Sequence, residues 1–350
     1  MRAIFILLLL FRFTVFFAQP PAGYYNATQG LSGEPLRQAL HNIITNGHQT
    51  LSYSNLMGYY MKTDVKANGK VWDMYSDIPG GTPPYEFTFV TNACGSYNSE
   101  ADCYNREHSV PASWFGDDYP MYADILQVVP TDGWVNNKRS NYPFGKVGSA
   151  SWTSLNGSKL GSNSFAGYSG TVFEPIDSFK GDFARIYFYM ATRYKDEIGS
   201  WSSAMFAGND LTTYGKNLMY AWHLLDPVSQ KEIARNDSVY KIQFNRNPYV
   251  DNPQWVAEIW GPQAGTDYAE ISQWKTYPQP ASDYLFIETL MAPETASVII
   301  TDITGRQMVL SEPYSQNMKV NVSELKPGIY ILVIDSGFKK INITFIKEQP

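Results

Sequence analysis

Histidine and cysteine are scarce: 350 residues contain four of the first and two of the second. Zinc hydrolases gather two or three histidines at short spacing. Here there is no HExxH, no HxH and no pair of cysteines at ligand spacing. A Ser–His–Asp site would need its GxSxG elbow, and a phosphate-cradling loop its GxxxxGK[ST]; both are missing. Charge is also thin. Charged residues make up 17%, below the usual quarter, and the net charge of −6 gives no global attraction to nucleic acid. A polyanionic substrate would need a local patch and a bound metal. Past the N-terminus no apolar run is long enough to span a bilayer.

What is present supports a folded, exported chain. The apolar fraction is 44% and the aromatic fraction 15%, enough for a real core. The length predicts a main domain plus a smaller one. Arg2, the apolar run Ile4–Phe17 and then Ala18 predict a signal peptide over residues 1–18; Arg12 interrupts the run. Cys94 and Cys103 close a short loop, and export favours their oxidation to a disulfide.

Along the chain, residues 21–60 read as helical, with Ser32–Pro35 as a start and Leu36, Leu40, Ile43 and Ile44 as one apolar face. Val71–Tyr75 and Tyr85–Val90 read as strands, and 146–175 as a long Gly/Ser/Asn-rich surface loop. Ile176–Tyr194 and 204–224 read as helices. A further helix is expected to run to about Phe244 from Asp226 as N-cap and Pro227 in the first turn. The turn Asn245–Pro248 could hold a phosphate or simply cap two helices. His41, His48 and His223 read as structural. Residues 263–282 are the expected linker, and 283–350 a small all-β sandwich with turns at Thr304–Gly305, Pro327–Gly328 and Ser336–Gly337.

The chemistry-bearing residues concentrate in Cys103–Gly145. Arg106, Glu107 and His108 set a cation, a carboxylate and an imidazole side by side, and Asn136–Asn141 supply amide and cationic donors. His108 suits proton abstraction near neutral pH. Glu107 and Asn136 offer hard oxygen ligands of the kind Mg²⁺ takes while keeping several waters. Neighbours on a strand face opposite ways, so a joint role needs irregular backbone or a substrate lying across the strand end; Pro111 favours an ending strand. A surface strand with ion pairs and a capped turn is the structural alternative.

The segments NREHSVPASWF, ADILQVVPTDGWVNNKRSNYPFG, FEPIDSFKGDFARIYFYMATRY and DPVSQKEIARNDSVYKIQFNRNPYVD resemble the endonuclease I family over roughly residues 22–262. The resemblance implies an α+β fold: a ββα-metal nuclease core embedded in helices, in a domain spanning 19–262. It implies a Mg²⁺-dependent endonuclease, with Mn²⁺ or Ca²⁺ as alternative ions, that cuts DNA and RNA with little sequence preference and leaves 5′-phosphates. By motif, His108 is the general base, Glu107 and Asn136 hold the metal, and Arg106 and Arg139 contact phosphate. Leu126 and Gln127 stand where many relatives have a histidine and an asparagine, and the arginine that steadies the cleaved phosphate in some members cannot be placed. The pattern DITGRQ…VNVSELKPGIYILVI resembles a type IX secretion sorting domain. That implies passage through the periplasm and the type IX machinery, then release or attachment at the cell surface. A monomer is expected. A binding or adhesion protein on an inactive nuclease scaffold and a phosphomonoesterase are the competing readings.

Overall fold

The computed structural model describes residues 20–261, 275–288, 297–302, 304–313, 318–335 and 340–348; the expected signal peptide and the first part of the expected linker lie outside them. Lys180–Arg193 (α4) is the central element. All of its residues are buried, and a helix covered on every side belongs to a core. Gly33–Thr45 (α1) packs on it through the face Leu36, Leu40 and Ile44, as the apolar spacing predicts, and Thr213–Leu225 (α5) packs beside it. Leu56–Thr63 (α2) lies against Gln230–Gln243 (α6), and Pro248–Asp251 (α7) and Gln254–Trp260 (α8) close this part of the fold.

Tyr104–His108 (β1) and Val128–Asp132 (β2) form an antiparallel pair with His108 opposite Val128 and Glu107 opposite Val129. Gly133–Arg139 (α3) follows β2 directly. Asp132 caps that helix by accepting from Val135 N–H at 2.9 Å, which satisfies one of the donors a helix start leaves open. A Cβ at Gly133 would come within 2.6 Å of the Tyr97 ring, so a larger residue there would displace that ring. The Cys94–Cys103 disulfide is present.

Several expected elements differ. Val71–Tyr75 and Tyr85–Val90 are not strands; Val71 N–H donates to the Phe87 carbonyl, and Val71 forms an isolated bridge with Val65 instead of a ladder with the second segment. The expected loop 146–175 is instead a three-stranded antiparallel sheet of Val147–Thr153 (β3), Lys159–Asn163 (β4) and Thr171–Glu174 (β5). Its outer strand is largely exposed, so small polar residues suit it despite their weak strand propensity. Residues 204–224 begin with a short hairpin, Phe206–Ala207 (β6) and Asp210–Leu211 (β7), before α5. Asp226 ends α5, and α6 starts later, where Ser229 and Glu232 form a reciprocal capping box that outcompetes Asp226–Pro227. The Asn245–Pro248 turn is structural: Arg246 pairs with Asp237 and Asp251, each at 2.7 Å, and Asn247 caps α7.

Among the described residues from 275 onward, every regular element is a strand. Lys275–Tyr277 (β8), inside the expected linker, pairs with Tyr284–Glu288 (β9). Ser297–Asp302 (β10), Gln307–Pro313 (β11), Met318–Asn321 (β12), Gly328–Asp335 (β13) and Lys340–Lys347 (β14) complete two sheets, ordered β11-β10-β13-β14 and β12-β9-β8. Leu285, Ile287 and Val320 from one sheet share a core with Ile300, Leu332 and Phe345 from the other, as a sandwich requires. The expected turn at Ser336–Gly337 lies outside the described residues.

Candidate active site

β1 stops at His108, and the chain turns away through Ser109 and Val110 to Pro111. A cleft of about 370 Å³ opens at this strand end; Arg106, Glu107 and His108 line it from one side and Asn136 and Asn141 from α3 and its end. The objection from strand alternation is thus met by the second option: the cleft lies across the end of the strand.

Glu107 is 2% exposed. Its Oε1 accepts from Tyr75 Oη at 2.8 Å and from Arg139 Nη1 at 2.9 Å. Its Oε2 makes no hydrogen bond among the described residues. Burial pushes the carboxyl up to about 7, although Arg139 and Tyr75 pull it down. A cation at Oε2 would favour the charged form that burial disfavours. Asn136 donates both Nδ2 hydrogens, to Asn105 Oδ1 at 2.8 Å and the Arg106 carbonyl at 3.2 Å, which fixes the amide and frees Oδ1. One carboxylate oxygen and one amide oxygen on the same cleft fit a hard divalent cation that completes its shell with water and substrate. Among the described residues no three His, Cys, Asp or Glu side chains gather as a chelating cluster, so a thiolate- or imidazole-rich ion does not fit.

His108 Nε2 lies 3.0 Å from the Tyr122 carbonyl. A carbonyl only accepts, so Nε2 carries the proton and Nδ1 keeps its lone pair. Nδ1 has no protein partner among the described residues. Burial lowers the imidazole to about 4, so the ring is neutral at pH 7 and the Nδ1 lone pair is open. Tyr53 and Tyr122 stack near it, with ring centres 5.5 and 5.0 Å away.

The two arginines differ. Arg106 lies 4.0 Å over the Tyr53 ring and donates Nη1 to the Tyr53 carbonyl at 2.9 Å. Arg139, expected at phosphate, is 1% exposed and committed to Glu107, the His108 carbonyl (2.8 Å) and the Ser109 carbonyl (2.7 Å). It is the counter-ion that sets Glu107, not a free cation. Leu126 is core, and Gln127 is fully buried, donating to the Met121 carbonyl and accepting from Val110 N–H. Neither reaches the cleft. Tyr75 and Tyr122 carried no local sequence signal; Asp132 did, as an N-cap before Gly133.

The sequence pattern described as Endonuclease I matches residues 32–254. The chain belongs to the endonuclease I family. An extracellular ribonuclease of Bacillus subtilis (strain 168) is 33% identical over 250 residues, 68% of this chain and 78% of that protein. An extracellular ribonuclease of Bacillus amyloliquefaciens is 34% identical over 247 residues, with the same coverage. Endonuclease-1 of Buchnera aphidicola subsp. Baizongia pistaciae is 28% identical over 181 residues, 45% of this chain and 67% of its own. Residues 275–348 match the secretion system C-terminal sorting domain, the type IX kind. This endonuclease I family member is therefore a nuclease that is secreted or held at the cell surface. Among the described residues no helix is long and apolar enough to cross a membrane.

Proposed function

We propose that this protein hydrolyses internal phosphodiester bonds of DNA and RNA with one divalent cation, Mg²⁺ by preference, held by Glu107 and Asn136. The observation that carries the proposal is the convergence on one cleft of three unpartnered groups: Glu107 Oε2, Asn136 Oδ1 and His108 Nδ1. When bound, the cation polarises the phosphate and stabilises charge on the leaving oxygen. His108 Nδ1 takes a proton from water as the water oxygen bonds to phosphorus and the P–O3′ bond breaks, leaving a 5′-phosphate. The Tyr122 carbonyl holds the ring in the required tautomer. Arg106 offers its remaining nitrogens to a phosphate oxygen. Arg139 and Tyr75 act as positioning residues by fixing Oε1 so that Oε2 turns to the cleft. The names of the two Bacillus relatives support RNA as a substrate beside DNA. The sorting domain supports export through the type IX machinery.

The inactive-scaffold reading drew its only support from Leu126 and Gln127, which are core residues here. The test is incubation of purified protein with supercoiled plasmid and with RNA, in Mg²⁺ or in EDTA. Nicking and RNA cleavage that require the ion, and that fall about 10²- to 10⁴-fold in His108→Ala, are expected. Turnover of small phosphate monoesters without cutting of either polymer would overturn the proposal.

A further inference from the structure

Beside the cleft, Arg106 and His108 continue into an array of tyrosine rings, Tyr53, Tyr122 and Tyr119, whose faces hydrolysis does not require. Arg106 lies over Tyr53; Tyr53 packs on Tyr122 with ring centres 4.3 Å apart; Tyr122 meets Tyr119 edge-on at 5.6 Å. His108 stacks against both Tyr53 and Tyr122, so Tyr119 lies two ring contacts from the imidazole. The array is anchored: the Tyr119 hydroxyl accepts from Tyr53 N–H at 3.4 Å, and Arg106 bonds the carbonyl of the same residue. Tyr53 and Tyr122 are half-buried, whereas Tyr119 is 52% exposed. Its backbone is set by a tight turn in which Gly116 and Asp117 both adopt positive φ, 67° and 59°.

Charge decides what belongs on that ring. Asp117 and Asp118, immediately before Tyr119, are both exposed. Two carboxylates repel phosphate, so this wall suits neither the continuing backbone nor the second strand of a duplex. They tolerate a base, whose exocyclic amines are donors and whose face stacks on tyrosine. Tyr119 lies outside the cleft lining, two ring contacts beyond His108, so only a base free to swing out of its stack reaches that face.

We propose that Tyr119 is a stacking subsite for an unpaired base next to the scissile phosphate, and that it biases the enzyme toward single-stranded nucleic acid, RNA included. This rests on the nuclease reading for the identity of the substrate. Its main test does not use cleavage. Fluorescence anisotropy in EDTA measures binding of a labelled single-stranded oligonucleotide and of an abasic strand of equal length, which keeps the phosphates and removes the bases. Wild type binds the intact strand more tightly than the abasic one; Tyr119→Ala loses about 5- to 150-fold in affinity for the intact strand and nearly all of the difference between the two. Tyr119→Phe, which keeps the face and loses the hydroxyl, retains it. In Mg²⁺, the ratio of kcat/KM for single strand over duplex falls toward one in Tyr119→Ala. Equal binding of intact and abasic strands by wild type, or an undiminished difference in Tyr119→Ala, overturns the proposal. Failure of the nuclease reading shows separately, as wild-type protein that cuts no polymer while the binding comparison is still readable.

Discussion

Arg139 Nη1 lies 2.9 Å from Glu107 Oε1, and both side chains are almost wholly withdrawn from solvent. A buried pair of this kind adds little net stability over an apolar pair, but loss of one partner strands the other. Arg139→Met would leave the Glu107 carboxylate without its cation and remove a donor from the His108 carbonyl and from the Ser109 carbonyl, which keeps the Tyr187 hydroxyl. A loss of about 3–5 kcal/mol is expected in urea unfolding. Arg139→Lys should fall between, since one ammonium cannot reproduce the spread of the guanidinium.

Tyr75 is the second restraint on the same oxygen. Tyr75→Phe removes one hydrogen bond to Oε1 at little cost in volume, so a loss of only about 1 kcal/mol is expected. Its larger effect should fall on metal use: the Mg²⁺ concentration for half-maximal cleavage should rise about 10- to 100-fold, as for other residues that orient a ligand. A Mg²⁺ titration of the cleavage rate reads it. An unchanged midpoint would show that Oε1 anchoring does not matter to the ion.

How much of this was legible in the sequence differs by residue. The apolar spacing marked the start and buried face of α1 and the span of α4, although residues 21–60 divide into α1, a break over 46–52 and α2; Arg106, Glu107, His108 and Asn136 do meet at one cleft. Tyr75 was not legible, because its partner is 32 positions away and its own segment reads as a strand. Arg139 sits in a run of polar donors that looks solvent-facing, and only the packing of α3 on β1 shows it to be buried. The sheet β3–β5 has no strand signature in the sequence because Gly and Ser weaken strand propensity, and an exposed edge needs little of it. The Ser229–Glu232 capping box lies three residues beyond Asp226–Pro227, and its two reciprocal hydrogen bonds outweigh the single Asp–Pro start signal.

The disulfide should matter through α3. The Cys103 carbonyl accepts from Gly133 N–H at 2.9 Å, and Ala101 N–H donates to Asp132 Oδ2 at 2.8 Å, so the loop it closes holds the start of the helix that carries Asn136. Replacing both cysteines by serine should cost about 2–3 kcal/mol for a loop of this length. Denaturant unfolding of oxidised wild type and the double variant checks it.

Stability should also fall with acid. Burial, reinforced by Arg185, depresses the His223 imidazole to about 3, against about 6.5 when unfolded. The folded state keeps this ring neutral while the unfolded chain takes up a proton below pH 6.5. The contribution is therefore fully present above that pH and is lost as pH falls toward 3, with a slope of at most about 1.4 kcal/mol per pH unit. His223→Gln should flatten that part of the curve, read as the difference between the two proteins in urea unfolding at pH 7.5, 5.5 and 4.5. Parallel curves would place the acid sensitivity elsewhere.

Ion binding and cleavage can be separated at the site itself. Mn²⁺ is titrated by calorimetry into wild type, His108→Ala and Asn136→Ala, with plasmid cleavage followed in parallel. One ion bound by wild type and by His108→Ala, cleavage by wild type alone, and binding weakened at least about 10-fold in Asn136→Ala is the expected result. Undiminished binding by Asn136→Ala, or cleavage that survives in His108→Ala, contradicts a single ion on Glu107 and Asn136 served by the His108 imidazole.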